Sequence, residues 1–379
     1  MNRKVSIFVA VLTVATFQVT PAFAVAPTIT GVTSTTANGS YKFGAAIIPI
    51  QVTFSEIVNV TGNPTLELET GTTDRLATYF SGSGTTTLTF NYTISTTTNP
   101  DTSLDLNYKA TNSLALGAGG AIKNAGNEDA VLTLPALDNA ASLAGSKAIV
   151  IDNTAPTASV TTVTVCPNGT GATLNAVAQS NELGKLFLVK STNTPTSVAQ
   201  IIALPANERT SPPGVTVATA DTNTDVPASL LTDGTYKVYA VDLAGNLSVA
   251  STNTVTIDAV SPAVGMIPQS TAIGSASRIA VQSTETGTAY LVSTTVTVTN
   301  KASITSAADA AFNAATITAA STWTSMATTT LAAGTYRLYA VDTFDNLSMP
   351  FGSLITISTD TSAPTQLQLL RSRGTPRPE

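Results

Sequence analysis

A nine-residue block written twice constrains this chain more than any other feature. Gly234-Thr235-Tyr236-Lys237-Val238-Tyr239-Ala240-Val241-Asp242 returns as Gly334-Thr335-Tyr336-Arg337-Leu338-Tyr339-Ala340-Val341-Asp342, and Asn246-Leu247-Ser248 returns as Asn346-Leu347-Ser348, both at a spacing of 100 residues. Upstream, Glu182, Gly184, Phe187, Leu188 and Val189 align with Glu285, Gly287, Tyr290, Leu291 and Val292 at a spacing of 103, so one loop differs in length. A period of that size is a whole small domain, large enough to bury its own interior. A third marker sets the limits: Asp152-Asn153-Thr154-Ala155-Pro156, Asp258-Ala259-Val260-Ser261-Pro262 and Asp360-Thr361-Ser362-Ala363-Pro364 each follow an apolar strand. Proline cannot donate to a ladder and holds its neighbour extended, so it joins modules stiffly. The expected division is a leader over 1–24, domains over 25–152, 153–258 and 259–360, and a disordered or truncated tail over 361–379.

Within the repeats the rhythm has period two. Leu88, Phe90, Tyr92 and Ile94 alternate with Thr87, Thr89, Asn91 and Thr93, and Val52 with Phe54 and Leu66 with Leu68 follow the same rule. Alternation of this kind is a strand with one face in the core and one in water. In the Tyr236–Asp242 segment both alternating sets are apolar, which places that strand at the centre of a sheet. Turn residues such as Asn38-Gly39, Gly82-Ser83-Gly84 and Gly245-Asn246 punctuate the runs. Many short strands with such punctuation predict β-sandwiches. Charged residues are only 11% of the chain, too few to cover solvent-facing helices, so the fold class is all-β. One stretch departs from the rhythm. Ser303–Ala315 carries Ile304, Ala307, Ala308, Ala311 and Phe312 at helical spacing and predicts a short helix, with a weaker counterpart over Thr196–Leu204. Both insertions are expected to cap one end of a sandwich.

The first residues set the compartment. Arg3 and Lys4 precede an apolar run that closes on Pro21-Ala22-Phe23-Ala24, the pattern of a secretory signal peptide cleaved after Ala24 and too short to span a bilayer. Nothing after Ala24 reads as a stop-transfer segment, so a secreted or cell-surface protein without a transmembrane segment is expected. A net charge of −6 excludes nucleic acid, whose phosphates need a basic face. The chain has no histidine, which removes the commonest general base and zinc ligand. Cys166 is the only cysteine, so no intrachain disulfide forms, and it reads as a small buried apolar side chain. No catalytic or cofactor-binding residue is assigned.

Calcium is the one cation worth arguing, because it takes hard oxygen donors that acidic linkers supply. Asp242, Asp258, Asp342 and Asp360 are the candidates. The competing reading is that Asp242 and Asp342 cap the turn after a strand while Asp258 and Asp360 begin linkers. No segment has the dense Asp-x-Asp-x-Asp spacing of a calcium loop. Of the carboxylate pairs, Glu67 and Glu69 fit the outer face of a strand whose inner face is Leu66 and Leu68, and Asp101 with Asp105 is the other pair that glycosidase chemistry would need to hold across a cleft. Trp323, the single tryptophan, offers no platform for stacking sugars by itself.

Residues Val32–Pro135 resemble a repeat of large bacterial surface proteins, carried by Val52-Thr53-Phe54-Ser55-Glu56, Val60-Thr61-Gly62-Asn63-Pro64 and Gly82–Phe90, while the later pair resembles a second bacterial Ig-like repeat type, carried by its Gly-Thr-Tyr, Tyr-Ala-Val-Asp and Asn-Leu-Ser runs. Asn124-Ala125-Gly126-Asn127 and Phe344-Asp345-Asn346 depart from the usual turn motifs of the two types. The resemblance implies tandem immunoglobulin-like β-sandwiches in an elongated array, with a role in adhesion, biofilm cohesion or spacing. Its implied partners are other surface proteins, cell-surface glycans or extracellular matrix. The alternative is a carbohydrate-binding appendage of a secreted multidomain protein. The Arg- and Pro-containing tail suggests a reading frame cut from a longer gene.

Overall fold

The computed structural model describes residues 25–358 apart from 96–98, 163, 167–174, 269–271 and 275–276. The leader expected over 1–24, Asp360 and the tail expected over 361–379 lie outside the described residues. The chain divides into two compact units, Met1–Asn153 and Thr154–Glu379. No helix among the described residues is long and apolar enough to cross a membrane.

The first unit contains β1 (Ile29–Ser34), β2 (Gly39–Tyr41), β3 (Ile48–Thr61), β4 (Thr65–Glu69), β5 (Arg75–Ser81), β6 (Thr85–Tyr92), β7 (Asn107–Tyr108), β8 (Leu114–Ala115), β9 (Ala121–Lys123), the single turn α1 (Leu143–Ser146) and β10 (Ile149–Ile151). Its main sheet runs β1-β3-β6-β5-β4-β7, with β8 paired to β4 and β9 to β3, while β10 and β2 form a separate parallel pair. The period-two reading lands on the core: Ile50, Val52, Leu66, Leu68, Leu88, Phe90 and Tyr92 are all buried in one cluster. Thr87, Thr89 and Asn91 fall on the other face of β6.

The second unit holds the same design twice. Its first half consists of β11 (Ala158–Val160), β12 (Thr164–Val165), β13 (Asn175–Ser180), β14 (Gly184–Lys190), α2 (Val198–Ala203), β15 (Val215–Val217), β16 (Thr224–Pro227), β17 (Gly234–Asp242) and β18 (Val255–Ile257). The second half consists of β19 (Val264–Ile267), β20 (Ala272–Gly274), β21 (Arg278–Ser283), β22 (Gly287–Ser293), α3 (Lys301–Thr305), β23 (Phe312–Ile317), β24 (Thr324–Ala327), β25 (Gly334–Asp342) and β26 (Ile355–Ser358). Each half pairs a three-stranded sheet with a five-stranded one, in the orders β11-β13-β16 with β12-β18-β17-β14-β15, and β19-β21-β24 with β20-β26-β25-β22-β23. The repeated block is therefore the central strand of each larger sheet, flanked by β18 and β14 in one half and by β26 and β22 in the other.

Both faces of that strand are covered. Leu186, Leu188, Tyr236, Val238 and Ala240 turn inward onto Ala176, Ala178 and Val226. Phe187, Val189, Tyr239 and Val241 turn outward and close over Ile201 of α2. In the second half Ala289, Leu291, Tyr336 and Leu338 face the core, while Tyr290, Val292 and Val341 hold Ile304 of α3 on the outside. The helical insertions thus lie on a sheet face rather than capping an end of the sandwich, because the outward set is too apolar to leave in water. The helix read over Ser303–Ala315 is also shorter than its spacing suggests. Asn300 and Ser303 form a reciprocal capping box that starts α3, but it ends at Thr305. A 3-10 turn covers Asp309–Ala311. Phe312–Ile317 is instead an edge strand, paired with β22 from Val292↔Phe312 to Gly287↔Ile317. Ladder bonds to an existing sheet outweigh the small helix preference of alanine.

Two backbone features fix the ends of the central strands. Gly184 and Gly287 open β14 and β22 at φ +150° and +151°, opposite Asp242 and Asp342. A β-carbon at Gly287 would lie 2.2 Å from the Val341 carbonyl oxygen, so no other residue fits without moving the neighbouring strand. At the other end, the hydroxyl of the fully buried Tyr236 donates to Thr232 O at 2.8 Å and approaches Asn207 O at 3.1 Å. Tyr336 repeats the arrangement with Ala332 O and Ala310 O at the same distances.

Candidate functional site

The described residues offer one place where several acids converge inside the second unit, at the junction of its two sandwiches. Asp342 ends β25, Asp258 follows the last residue of β18, and Glu285 stands in the turn that leads into β22. One carboxylate oxygen from each lies within 4.8 Å of the others. The strand order explains the meeting: Asp342 is opposite Gly287 in the β22–β25 ladder, two residues from Glu285, and β18 delivers Asp258 at its end.

Asp342 is largely occupied by its own loop. Its Oδ1 accepts from the backbone N–H of Phe344 at 2.7 Å and of Asn346 at 2.9 Å, and its Oδ2 accepts from Asn346 Nδ2 at 2.9 Å. Asp345 takes the left-handed conformation at φ 68°, which closes the turn. Asp242 does the same in the preceding repeat, accepting from Asn246 N at 2.8 Å and Asn246 Nδ2 at 2.7 Å. The loop is also tied to the preceding sandwich. Asn346 Nδ2 reaches the main-chain oxygen of Asp258 at 3.3 Å, and the Cys166 thiol donates to Phe344 O at 2.6 Å. Asn346 is fully buried, and its Oδ1 has no hydrogen-bond partner.

The electrostatics follow from this crowding. Burial first, and then the charges of Asp342 and Asp258, a hydrogen bond to Asp342 and the charge of Asp233, push the Glu285 carboxyl up to about 7. Asp258 is raised by burial and by Asp342, against the opposing bond from Val260 N–H. The Cys166 thiol is pushed up to about 11 by burial and then by Asp342, Asp258 and Asp345, which keeps it protonated and unreactive at neutral pH. Lys301 neutralises Asp345 at 2.8 Å. A shallow pocket of about 300 Å³, lined by Asp233, Thr256, Asp258, Glu285 and Phe344 among others, opens onto the cluster. Clustered carboxylates with buried amide and carbonyl oxygens are a donor set for a hard divalent cation.

The remaining sequence candidates have other partners. Glu67 pairs with Lys109 at 3.1 Å on the outer face of β4, while Leu66 and Leu68 point into the core. Asp101 is buried in a different network from Asp105. It accepts from Arg75 Nε at 2.7 Å, Tyr92 OH at 2.8 Å and Ser95 N at 2.7 Å, whereas Asp105 accepts from Ile149 N. Burial and the Asp101 carboxylate together hold the Tyr92 hydroxyl well above the usual tyrosine range. A second cavity, about 180 Å³, is lined by Thr210, Gly214, Val215, Pro227 and Leu230 among others and is mainly apolar. Arg209 at its edge spends its guanidinium on the carbonyls of Leu204, Ile202 and Thr210. Trp323 is partly exposed. Sequence reasoning named Asp258 and Asp342 but not Glu285 or Asn346 as members of the cluster. The signal for both was their recurrence, as Glu182 and Asn246, one repeat earlier.

No protein-family model matches the chain, and no curated protein does. Among solved structures, the fibronectin(III)-like modules of Clostridium thermocellum CbhA are 11% identical, over 53% of this chain and 93% of that one, with a TM-score of 0.25. The FN1-FN3 domains of chicken CNTN1 are 12% identical over 86% and 97%, with a TM-score of 0.24. The BSP domain of a biofilm associated protein is 12% identical over 89% and 67%, with a TM-score of 0.21. Likeness this slight carries no argument about what the chain does.

Proposed function

We propose that this chain is a non-catalytic extracellular surface protein, an adhesin or structural spacer whose sandwiches act as repeated load-bearing units. The observation that carries the reading is the duplicated sandwich of the second unit. Two halves share one strand order and have separate cores, joined through Asp258–Pro262 and tied by Asn346 and Cys166. Such a design adds length and repeated weak contacts without building a deep reactive cleft. The secretory leader read from residues 1–24 and the sparse, acidic charge support export.

Force spectroscopy on the full chain, with a panel of glycans tested in parallel, checks the reading. Successive unfolding events should each release about 30 nm, the length that a sandwich of roughly 100 residues yields when drawn out. Surface shaving of producing cells with protease should release its fragments. A single unfolding event for the whole second unit, or turnover of a substrate, would overturn the proposal. Micromolar binding of one sugar would favour the appendage reading instead.

A further inference from the structure

We propose that Asp258, Glu285 and Asp342, with the side-chain oxygen of Asn346, form a site for a divalent cation of the calcium class at the junction of the two sandwiches in the second unit. The inference does not depend on the chain being a spacer.

Oxygens that share one calcium ion at 2.3–2.6 Å stand no more than about 5 Å apart, and one oxygen from each of the three carboxylates meets that limit at 4.8 Å. Proximity of acids alone would not make a site. The second observation is Asn346, fully buried, whose Nδ2 donates to Asp342 Oδ2 and to the main-chain oxygen of Asp258 and so holds the amide against two members of the cluster. Its Oδ1 is left with no donor. A buried oxygen without a donor is rare in a folded protein and marks a place where an ion or its water belongs. The three carboxylates carry charge of one sign within 4.8 Å of one another, so a cation held among them offsets their mutual repulsion. Asp342 spends three hydrogen bonds on its loop, and the last of its about four acceptor positions takes the Glu285 carboxyl, a contact that a metal replaces by displacing the Glu285 proton. The adjoining pocket provides a path for the ion and room for the waters that complete six to eight ligands. The competing account, in which Asp342 only caps its turn, explains the Asp342 contacts but not the bare amide oxygen.

The test uses the full chain, stripped with EDTA and titrated near neutral pH with calcium chloride by calorimetry and thermal melting. Wild type should bind with a dissociation constant at or below the 10⁻⁴–10⁻³ M range of extracellular calcium modules, and its melting temperature should rise. E285Q and D258N should each weaken one calcium-binding event by about tenfold or more, whereas D225N, away from the cluster, should leave every event unchanged. Magnesium should bind less tightly than calcium, because it demands shorter, octahedral contacts. Gln is near-isosteric with Glu and uncharged, and circular dichroism of E285Q in EDTA checks that it folds. The proposal fails if no calcium binds at about 10 mM, or if folded E285Q and D258N both bind as wild type does.

Discussion

The hydroxyl of Tyr236 offers a clean measure of what holds each sandwich together. Y236F removes one oxygen from a side chain with no solvent exposure and leaves the ring in place. Thr232 O then loses the donor at 2.8 Å, while Asn207 O keeps the Thr232 backbone N–H at 3.0 Å. One part-buried acceptor is therefore orphaned rather than two, at a cost of about 1.5 kcal/mol. For a sandwich of this size that corresponds to about 6–12 °C in its unfolding transition. Scanning calorimetry and urea titration of the full chain measure the loss, and Y336F should reproduce it in the last sandwich, where Ala310 O likewise keeps Ala332 N–H. Tyr239 is the control. It lies three residues along on the outer face against α2, and Y239F should cost less than about 0.5 kcal/mol because the ring contacts survive. A Y236F loss below about 0.5 kcal/mol, or a Y239F loss equal to it, would show that the hydroxyl bonds do not secure the turn before the central strand.

Three further outcomes follow from the geometry. G287A should destabilise the last sandwich by about 3 kcal/mol or more, read as a lowered urea midpoint, because its β-carbon would meet the Val341 carbonyl and the strained φ together. In EDTA, wild type should lose stability as pH rises through about 7, because Glu285 keeps its proton in the folded chain to a higher pH than in the unfolded one. The contribution is complete below the ordinary glutamate range, so E285Q should be flat across that window and more stable than wild type above it, by about 1 kcal/mol. Cys166 should resist iodoacetamide at neutral pH in the folded chain and react readily in urea, since its thiol is buried and shifted up to about 11.

Strand positions were legible wherever one residue in two meets the core, as at Leu88, Phe90 and Tyr92, and the centrality of the repeated block was legible from its two apolar faces. The same two-faced pattern carries the position of the helices: Phe187, Val189, Tyr239 and Val241 need a cover, and Ile201 supplies it. Phe312–Ile317 departs from its helical spacing because alanine spacing is a local signal and the ladder to β22 is not. The acidic cluster was half legible. Asp258 and Asp342 stand out next to the boundary prolines and the repeated block, but Glu285 and Asn346 look like turn residues until the sheets bring three distant segments together. Nothing in the local sequence around Asn346 shows that its amide oxygen lacks a donor.

The tie between the Asn346 amide and the Asp258 carbonyl has a genetic consequence. Neither sandwich contains the junction by itself: one contributes the residue that follows its final strand, the other a hairpin near its end. Copying the earlier of the two sandwiches in phase therefore brings Asp258 of one copy to Glu182, Asp242 and Asn246 of the next, using no residue that the parent lacked. An array could grow or shrink by recombination between copies and keep every joint well formed, whereas an out-of-phase crossover would leave a sandwich intact and its seam broken.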